Sequence, residues 1–376
     1  MAIDNAVKME RAGLRQIPAQ TRGSSFTRAI LQSGWDICPD DRREKMGLRP
    51  HDSERAIHHR APMNTEIDSA RYRKCLHNAQ RVTWDIDTDV IRFRQLETDH
   101  KFLPDSLSLV TQLPFLDEAQ QRLLSQVQGR TYAYLFGLIE RCINAKMLEL
   151  GRTHCLGDQT AVAALLKFVE EELKHQELFR RIEKLADLAL PAGYRMTTDP
   201  DSAAAAMLGK STWAVLALTC FVEIFTQAHY LYSFREDSDL SPLFKDVFYY
   251  HWLEELQHAT LDELEWQRVH DALQPEAIDA AVTDLIELIR MVDLILQAQA
   301  AADGDYFCSC ADVSLDQDRC NAVKACLLKA YRLQYLVSGA RIERFKRALS
   351  SKVTAGQMQR VEAAFAPLIA CVGIAG

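Results

Sequence analysis

The sequence predicts an all-α protein, and three observations support this fold class. The 376 residues are 48% hydrophobic and 26% charged, which is ordinary for a globular protein and excludes disorder over the whole chain. From Leu116 onward the chain has long proline-free stretches rich in Ala, Leu, Glu, Gln and Arg, residues of high helix propensity. Apolar residues recur along these stretches at helical spacing.

Four long helices are predicted in the central part of the chain, residues 116–272. They cover residues 117–150, ending at Gly151; 159–187, with Asp158 as N-cap; 203–233; and 242–272, with Ser241 as N-cap and Pro242 in the first position. The connection between the second and third helices, residues 188–202, is long. Fully extended it reaches roughly 50 Å, so it can run the length of a helical bundle.

The segments on either side complete the predicted organisation. Residues 1–65 contain four prolines and no sustained periodicity, which predicts a flexible N-terminal tail, with Met63 as a candidate initiator. Residues 66–115 are expected to form a lead-in segment that packs on the bundle. Residues 273–376 are expected to form additional C-terminal helices, at about 275–302, 316–348 and 355–370.

Charge, cysteine content and hydropathy exclude several classes of function. The net charge is −8 and the pI is about 5.8, so neither a nucleic acid nor an anionic membrane is an expected partner. The ten cysteines have no repeated spacing, and Cys308, Cys310 and Cys320 lack the paired spacing of a zinc site. The first 30 residues hold no apolar core of a signal peptide, and the longest apolar run, Ala214 to Val222, is too short to span a bilayer. We therefore expect a reduced, soluble, cytoplasmic protein.

Two of the four central helices carry a carboxylate where an apolar side chain is expected. Glu140 lies within YAYLFGLIERCI, and Glu223 is the only formally charged residue between Lys210 and Arg235. A buried carboxylate must be paired, protonated or bound to a metal ion. The helices therefore need partners for these two groups.

The other two helices supply candidate partners in the form of a Glu-x-x-His motif, which places both side chains on one helix face. The motifs are Glu172 to His175 and Glu255 to His258. A third, Glu97 to His100, lies outside the long helices and is interpreted as a chance occurrence. The motif alone is weak evidence, because it is short.

The spacing of the four carboxylates strengthens the pattern. Glu140 and Glu172 are 32 residues apart, and so are Glu223 and Glu255. In two helical hairpins, this places four carboxylates and two imidazoles at a common height, which makes a site for two divalent metal ions. One Glu from each of two helices and Glu-x-x-His from each of the others is the pattern of ferritin-like di-iron carboxylate proteins. Buried ion pairs without metal are the alternative.

His251 lies on the same helix face as Glu255 and His258, which makes it a candidate seventh ligand. The segment from His251 to His258 then reads His-x-x-x-Glu-x-x-His, and with it the chain resembles the p-aminobenzoate N-oxygenase family of di-iron arylamine oxygenases. The resemblance covers roughly residues 80–270, including the TWDID and LPDSL segments. It implies the seven metal ligands Glu140, Glu172, His175, Glu223, His251, Glu255 and His258, and a reaction class rather than a substrate.

Several neighbours of the predicted ligands have simpler interpretations. Glu170, Glu171 and Glu254 point off the inward stripe and are expected on solvated faces. Asp262 and Glu265 are candidate acceptors for a ligating histidine, although this is the minority interpretation. The aromatic residues Tyr134, Tyr230 and Trp252 are expected to pack in the core, and His229 to be a surface or structural residue.

The sequence therefore predicts a non-haem di-iron oxygenase that activates O₂ to oxidise a small organic substrate, with N-oxygenation of an amine as one form of the reaction. Two iron ions are the expected cofactor, and a Mn/Fe pair is the alternative. No Gly-x-Gly-x-x-Gly fingerprint is present, so a separate reductase or ferredoxin is the expected electron donor. A homodimer is compatible with the extra helices. Two rival classes stay open: a ferritin-like or rubrerythrin-like protein that oxidises iron or detoxifies peroxide, and a helical scaffold without metal.

Overall fold

The computed structural model describes residues 65–310 and 313–373, with side chains from Asp68 onward. The predicted tail, residues 1–65, lies outside the described residues except for Thr65, and so does Met63. Helices of eight or more residues are numbered in chain order: α1 Thr65–Ala79, α2 Glu118–His154, α3 Gln159–Ala189, α4 Pro200–Leu208, α5 Thr212–His229, α6 Pro242–Asp271, α7 Pro275–Ser309, α8 Gln317–Arg332, α9 Glu343–Ser350 and α10 Ala355–Val372. No strand occurs among these residues, so the all-α prediction is confirmed.

Side chains at the ends of the central helices explain where these helices begin. Asp117 caps α2 through a capping box with Gln120, and the Asp158 carboxylate accepts hydrogen bonds from the first backbone N–H groups of α3. The Ser241 hydroxyl accepts from the backbone N–H of Phe244 at the start of α6. The two N-caps predicted from the sequence are therefore confirmed.

Helices α2 and α3 form one antiparallel hairpin of a four-helix bundle, and α5 and α6 form the other. In the first hairpin, the Asn144 side chain donates to the carbonyl of Val169, while Arg130 pairs with Glu183 further along. In the second, the Gln227 side chain donates to the carbonyl of Glu255 at 3.0 Å. Each hairpin places its two helices side by side in opposite directions.

The two hairpins pack with α2 antiparallel to α5. Lys146 Nζ lies 3.4 Å from the Thr212 hydroxyl, and at the other end the Tyr132 hydroxyl bonds to His229. The chain must therefore return along the whole bundle between α3 and α5, as the sequence predicted. This single long crossover between two hairpins is the ferritin-like architecture.

Four helix boundaries differ from the sequence prediction. Helix α7 continues to Ser309 rather than ending at about residue 302. The predicted helix 203–233 is two helices, α4 and α5, because the chain leaves the helix at Gly209 and starts again after Ser211. Helix α2 does not end at Gly151 but continues to His154. The predicted helix 316–348 is interrupted near Arg341.

Further segments cover the bundle from outside. Helix α1 packs on α3 and α6, and the Tyr72 hydroxyl donates to Glu265 at 2.6 Å. Helix α7 packs on α5 and α8. The segment Thr212–Phe234 is long and apolar enough to cross a membrane, but 94% of its most apolar window is buried by the rest of the protein, as in a bundle core.

Gly129 marks a close approach between α2 and the lead-in segment. A Cβ atom at Gly129 would lie 2.4 Å from Cβ of Phe102 and 3.3 Å from Cζ of Phe244. We expect Gly129→Ala to lower the free energy of unfolding by about 1–3 kcal/mol through overpacking. Gly151→Ala is the matched control on the same helix, because a Cβ there meets nothing within 4 Å. That change is expected to raise the free energy of unfolding by about 1 kcal/mol. Urea unfolding measures both, and equal effects of the same sign would contradict the packing argument.

Candidate metal centre

The predicted ligands meet inside the bundle in two overlapping sets. The first set comprises Glu140, His175, His251 and Glu255, and the second comprises Glu172, His175, Glu255 and His258. Within each set, one ligand atom per residue lies within 4.8 Å of all the others, and all the residues are buried. Because His175 and Glu255 belong to both sets, the two positions are adjacent and share ligands. This is the arrangement of a two-metal site.

Glu223 lies beside the second set rather than within it. Its Oε2 atom is 3.9 Å from Nδ1 of His258, and Glu223 is 1% exposed. The structure therefore brings all seven predicted residues into one region of the core, with Glu223 at its edge. Their role as metal ligands stays a prediction.

Buried polar atoms without a hydrogen-bond partner are concentrated in this cluster. Such atoms cost free energy in a protein core unless something else compensates them. Every one of the seven predicted ligands carries at least one: Glu140 Oε2, both carboxylate oxygens of Glu172, His175 Nδ1, Glu223 Oε2, His251 Nδ1, Glu255 Oε1 and His258 Nδ1. A cation among them would satisfy these unpaired atoms except on His251, where Nε2 rather than the unpaired Nδ1 faces the carboxylates. The residues present therefore fit a pair of metal ions.

Distances between these atoms agree with coordination better than with hydrogen bonding. His258 Nδ1 lies 3.0 Å from Glu172 Oε1 and 3.5 Å from Glu255 Oε1, yet none of these atoms has a hydrogen-bond partner. Ligand atoms that are each about 2.1 Å from one ion are about 3 Å from one another. The atoms thus point toward a common centre rather than toward each other.

Two carboxylates outside the ligand set fix the imidazole rings. Glu254 Oε2 lies 2.9 Å from His175 Nε2, and Glu171 Oε2 lies 3.0 Å from His258 Nε2. A carboxylate accepts the Nε2 proton, so Nδ1, which faces the cluster, is the nitrogen available to bind a cation. The hydrogen bonds are reciprocal between the two helices: Glu254 of α6 orients His175 of α3, and Glu171 of α3 orients His258 of α6.

The prediction that Glu171 and Glu254 lie on solvated faces is wrong. Glu171 is 1% exposed and Glu254 is 0% exposed, whereas Glu170, the third residue of that prediction, has an exposed side chain. Lysines at the rim compensate the buried charge: Lys174 Nζ lies 2.5 Å from Glu254, and Lys167 Nζ lies 3.5 Å from Glu171. These two carboxylates are candidate functional residues that the sequence interpretation missed.

His251 is turned the opposite way from the other two imidazoles. Its Nε2 atom lies 2.8 Å from Glu140 Oε1 and 3.1 Å from Glu255 Oε1. Phe136 and Phe179 pack against the ring, with centroid distances of 5.7 and 5.1 Å. An imidazole nitrogen is thus presented among carboxylate oxygens at the position expected for a seventh ligand.

Burial controls the proton affinity of the cluster. Burial and the neighbouring Glu172 and Glu255 carboxylates raise the pKa of Glu140 well above its usual range, and burial raises the pKa of Glu172 to about 7. Burial lowers the pKa of His175 to about 3, so this imidazole is neutral at pH 7. Burial acts in the same direction on His258, but the Glu255, Glu171 and Glu172 carboxylates outweigh it and raise the pKa of His258 well above its usual range. Without metal, the cluster therefore holds protons that bound cations would replace.

The lead-in segment covers one side of the cluster. The Trp84 ring stacks on the His175 ring, with centroids 6.0 Å apart and planes 8° apart. Lys174 Nζ lies 3.9 Å from the centre of the same Trp84 ring. Trp84 is 8% exposed, so it shields His175 from solvent on the side opposite the bundle core.

Other residues singled out in the sequence lie outside the cluster. Glu265 accepts hydrogen bonds from Tyr72 and His154, not from a predicted ligand, and the buried Asp262 carboxylate has no hydrogen-bond partner. Glu97 accepts from the Ser241 hydroxyl, so the third Glu-x-x-His motif is not part of the site. The three aromatic residues expected to pack in the core are buried or half-buried: Tyr134, Tyr230 and Trp252.

His229 is a buried structural histidine with two hydrogen bonds. Tyr132 bonds to its Nδ1 at 2.7 Å, and its Nε2 lies 2.8 Å from the Ser338 hydroxyl, which itself donates to the carbonyl of Gln334. The Ser338 oxygen therefore accepts the Nε2 proton, and the ring is neutral. Burial lowers the pKa of His229 to about 3.

Stability is expected to fall at acidic pH because of His229. Its folded pKa is below the unfolded value of about 6.5, so its contribution is complete above pH 6.5 and is lost as the pH falls toward 3. Between pH 7.5 and pH 5, we expect the wild type to lose about 2 kcal/mol more than His229→Gln in urea unfolding. His77→Gln, at an exposed histidine, is the control and should follow the wild type. Equal pH slopes for His229→Gln and wild type would contradict the prediction.

Comparisons with known proteins add little to this description. No protein-family model and no curated protein matches the chain. Solved structures that are similar include an R2-like ligand-binding oxidase with an aerobically reconstituted Mn/Fe cofactor, at 12% identity over 77% of this chain and 99% of that chain, with a TM-score of 0.39. A mutant of an R2-like ligand-binding oxidase with an anaerobically reconstituted Mn/Fe cofactor has 13% identity over 76% of this chain and 100% of that chain, with a TM-score of 0.37. Since both TM-scores are below 0.5, the assignment rests on this chain's own helices and side chains.

The fold and the site together define a class. The chain is a ferritin-like four-helix bundle with additional C-terminal helices, and its core holds buried carboxylate and imidazole groups able to bind two metal ions. The substrate and the reaction are not part of this definition.

Proposed function

We propose that the chain is a non-haem di-iron oxygenase that uses O₂ to oxidise a small organic substrate. The observation that carries the proposal is the set of buried atoms without a hydrogen-bond partner on six of the predicted ligands: Glu140, Glu172, His175, Glu223, Glu255 and His258. The resemblance of the His251 to His258 segment to the arylamine oxygenases supports N-oxygenation of an amine as the form of the reaction. Two iron ions are the proposed cofactor, with a Mn/Fe pair as the alternative.

The proposed ligands differ in the role that their chemistry suits. Glu255, shared by both sets, suits a bridging carboxylate, and His175 and His258 supply neutral nitrogen donors fixed by Glu254 and Glu171. Glu172 is the second proposed bridging or chelating carboxylate, and Glu140 and Glu223 are the proposed terminal or shifting ones. Two bound ferrous ions would supply electrons to O₂. A separate reductase or ferredoxin is proposed to return electrons to them.

The test is metal analysis combined with an optical spectrum. The full-length protein, reduced and loaded with ferrous iron without oxygen, is expected to hold about two iron ions per chain. Exposure to O₂ should consume oxygen in proportion to bound iron and change the visible spectrum, whereas the zinc-loaded protein should do neither. Reduced protein that binds almost no iron, or bound iron that does not react with O₂, would contradict the proposal.

Ferritin-like iron storage is the rival function, and the assembly state separates the two. A storage protein forms a large hollow oligomer that fills with ferric mineral. The chain proposed here carries three helices after α7 in addition to the bundle. We expect a small assembly, such as a homodimer, that takes up no iron beyond the site. A mineral-filled shell seen after aerobic iron loading would favour storage.

A further inference from the structure

An apolar cavity of about 90 Å³ lies next to the candidate metal centre, on the outer side of α2 and α5. Leu135, Ile139 and Cys142 of α2 form one wall, and Leu218 and Val222 of α5 form the next. Helices α4 and α7 close it from outside with Ala203, Met207, Met291, Val292, Ile295 and Leu296. The cavity therefore lies between the bundle and the helices that cover it.

Phe136 connects this cavity to the metal centre. Its side chain lines the cavity, and its ring lies 5.7 Å from the ring of His251, a predicted ligand. Val222, another lining residue, directly precedes Glu223 in the chain. An occupant of the cavity would thus be separated from His251 by a single aromatic ring.

The lining determines the chemistry of the occupant. None of the residues that line the cavity is charged, and none is a histidine, an asparagine or a glutamine. A carboxylate or an ammonium group would therefore lose its hydration without any compensating partner. Tyr335 is the one hydroxyl-bearing side chain in the lining, and its oxygen is buried without a hydrogen-bond partner. It can serve one neutral polar group.

Size and access further restrict the occupant. An apolar cavity of about 150 Å³ can bind benzene, so a cavity of about 90 Å³ suits a single ring only if flexible neighbours adjust. Met207 and Met291 provide such adjustment, because methionine side chains are unbranched and deformable. Ala203, Met291 and Ile295 are half-buried, whereas Leu218 and Phe136 are buried. Access is therefore from the side where α4 meets α7.

Tyr335 lies in a π-helical turn, Leu333–Val337, that interrupts the C-terminal helices beside the cavity. Such turns are rare and are frequent at functional sites. The Tyr335 ring lies 6.4 Å from the rings of both Phe136 and Phe225. The π-helical turn thus places Tyr335 beside Phe136 and Phe225, and Phe136 also lies next to His251.

We propose that this cavity binds the substrate and selects a small, uncharged, largely apolar molecule of about single-ring size with at most one hydrogen-bonding group. The role of the bound molecule as a substrate rests on the proposed function. Its binding does not, since no predicted metal ligand lines the cavity. The experiment therefore measures binding with and without metal, separately from turnover.

The test uses toluene, phenol and benzoate as probes of the full-length protein, with binding followed by ligand-observed NMR. We expect toluene and phenol to bind and benzoate to bind at least 10-fold more weakly, in metal-free and metal-loaded protein alike. Ile295→Trp fills the cavity from α7 and should weaken toluene binding at least 10-fold. The matched control is Leu294→Trp on the same helix, where the side chain is 66% exposed, and it should bind toluene as the wild type does.

A second variant guards against misfolding of the first. Ala203→Leu fills the cavity from α4 by a smaller volume, and it should weaken toluene binding in a protein whose circular dichroism is unchanged. Unchanged toluene binding in both filled variants, or benzoate binding as tight as phenol binding, would overturn the proposal. Ring binding that persists in protein unable to react with O₂ would support the cavity while contradicting the proposed oxygenase function.

Discussion

A Glu255→Leu variant is expected to lose metal from both positions. Glu255 Oε1 lies 3.1 Å from His251 Nε2 and 3.2 Å from His175 Nδ1, and Glu255 belongs to both ligand sets. Loss of an outer hydrogen-bond partner already weakens metal binding about 10- to 100-fold, so loss of a shared ligand should weaken it more than about 100-fold. Metal content after gel filtration and titration with ferrous iron measure the effect.

Glu263→Leu is the matched control for this variant. Glu263 lies on the same helix, but its side chain is half-buried and pairs with Arg344 outside the ligand cluster. A partly solvated ion pair contributes about 1 kcal/mol or less, so this variant should keep most of its stability and its metal. If Glu255→Leu, with wild-type circular dichroism, still held two metal ions per chain, the assignment of the centre would be wrong.

A Glu171→Gln variant is expected to bind metal about 10- to 100-fold more weakly, although residue 171 is not a ligand. Glu171 accepts the Nε2 proton of His258 at 3.0 Å, and this fixes Nδ1 toward the metal. A neutral amide holds that proton less strongly and can turn its NH₂ group toward the ring. The imidazole then becomes a weaker and less oriented donor. Competition with a chromophoric chelator measures the change.

Glu170→Gln gives the control at the neighbouring position. The Glu170 side chain is 74% exposed, and Lys167 lies near both carboxylates. Both variants remove one negative charge, and Glu170→Gln measures the effect of that loss at an exposed, solvent-screened position. The hydrogen bond between Glu171 and His258 predicts a clearly larger loss of affinity in Glu171→Gln. Equal affinities in the two variants would refute the role of this hydrogen bond.

The sequence was sufficient to predict which carboxylates and imidazoles meet in the core, because their signal lies within single helices. Glu223 is a lone charge in an apolar helix, and each Glu-x-x-His motif needs only four residues of one helix to be visible. The antiparallel hairpins follow from short connections, and the crossover from one long connection. These features depend on local spacing, which a sequence contains.

The sequence interpretation failed where neighbouring helices decide the environment. Glu171 is about 100° around the helix from Glu172, so its own helix suggests an exposed position. It is buried because α6 brings His258 against it. The break between α4 and α5 was missed because apolar residues stand on both sides of it, although Gly209 and Ser211 are recognised boundary signals.

Glu171 and Glu254, which each hydrogen-bond to a histidine of the other helix, also change the motif that a search for related chains should use. The doublet Glu171-Glu172 stands three residues before His175, and Glu254-Glu255 stands three residues before His258. In the third Glu-x-x-His motif the residue before Glu97 is a leucine, so the Glu-Glu doublet distinguishes the two motifs in the buried cluster from the one outside it. A genome scan for two Glu-Glu-x-x-His segments about 80 residues apart, each on a long helix, would recover the ligand and its ring-orienting partner together.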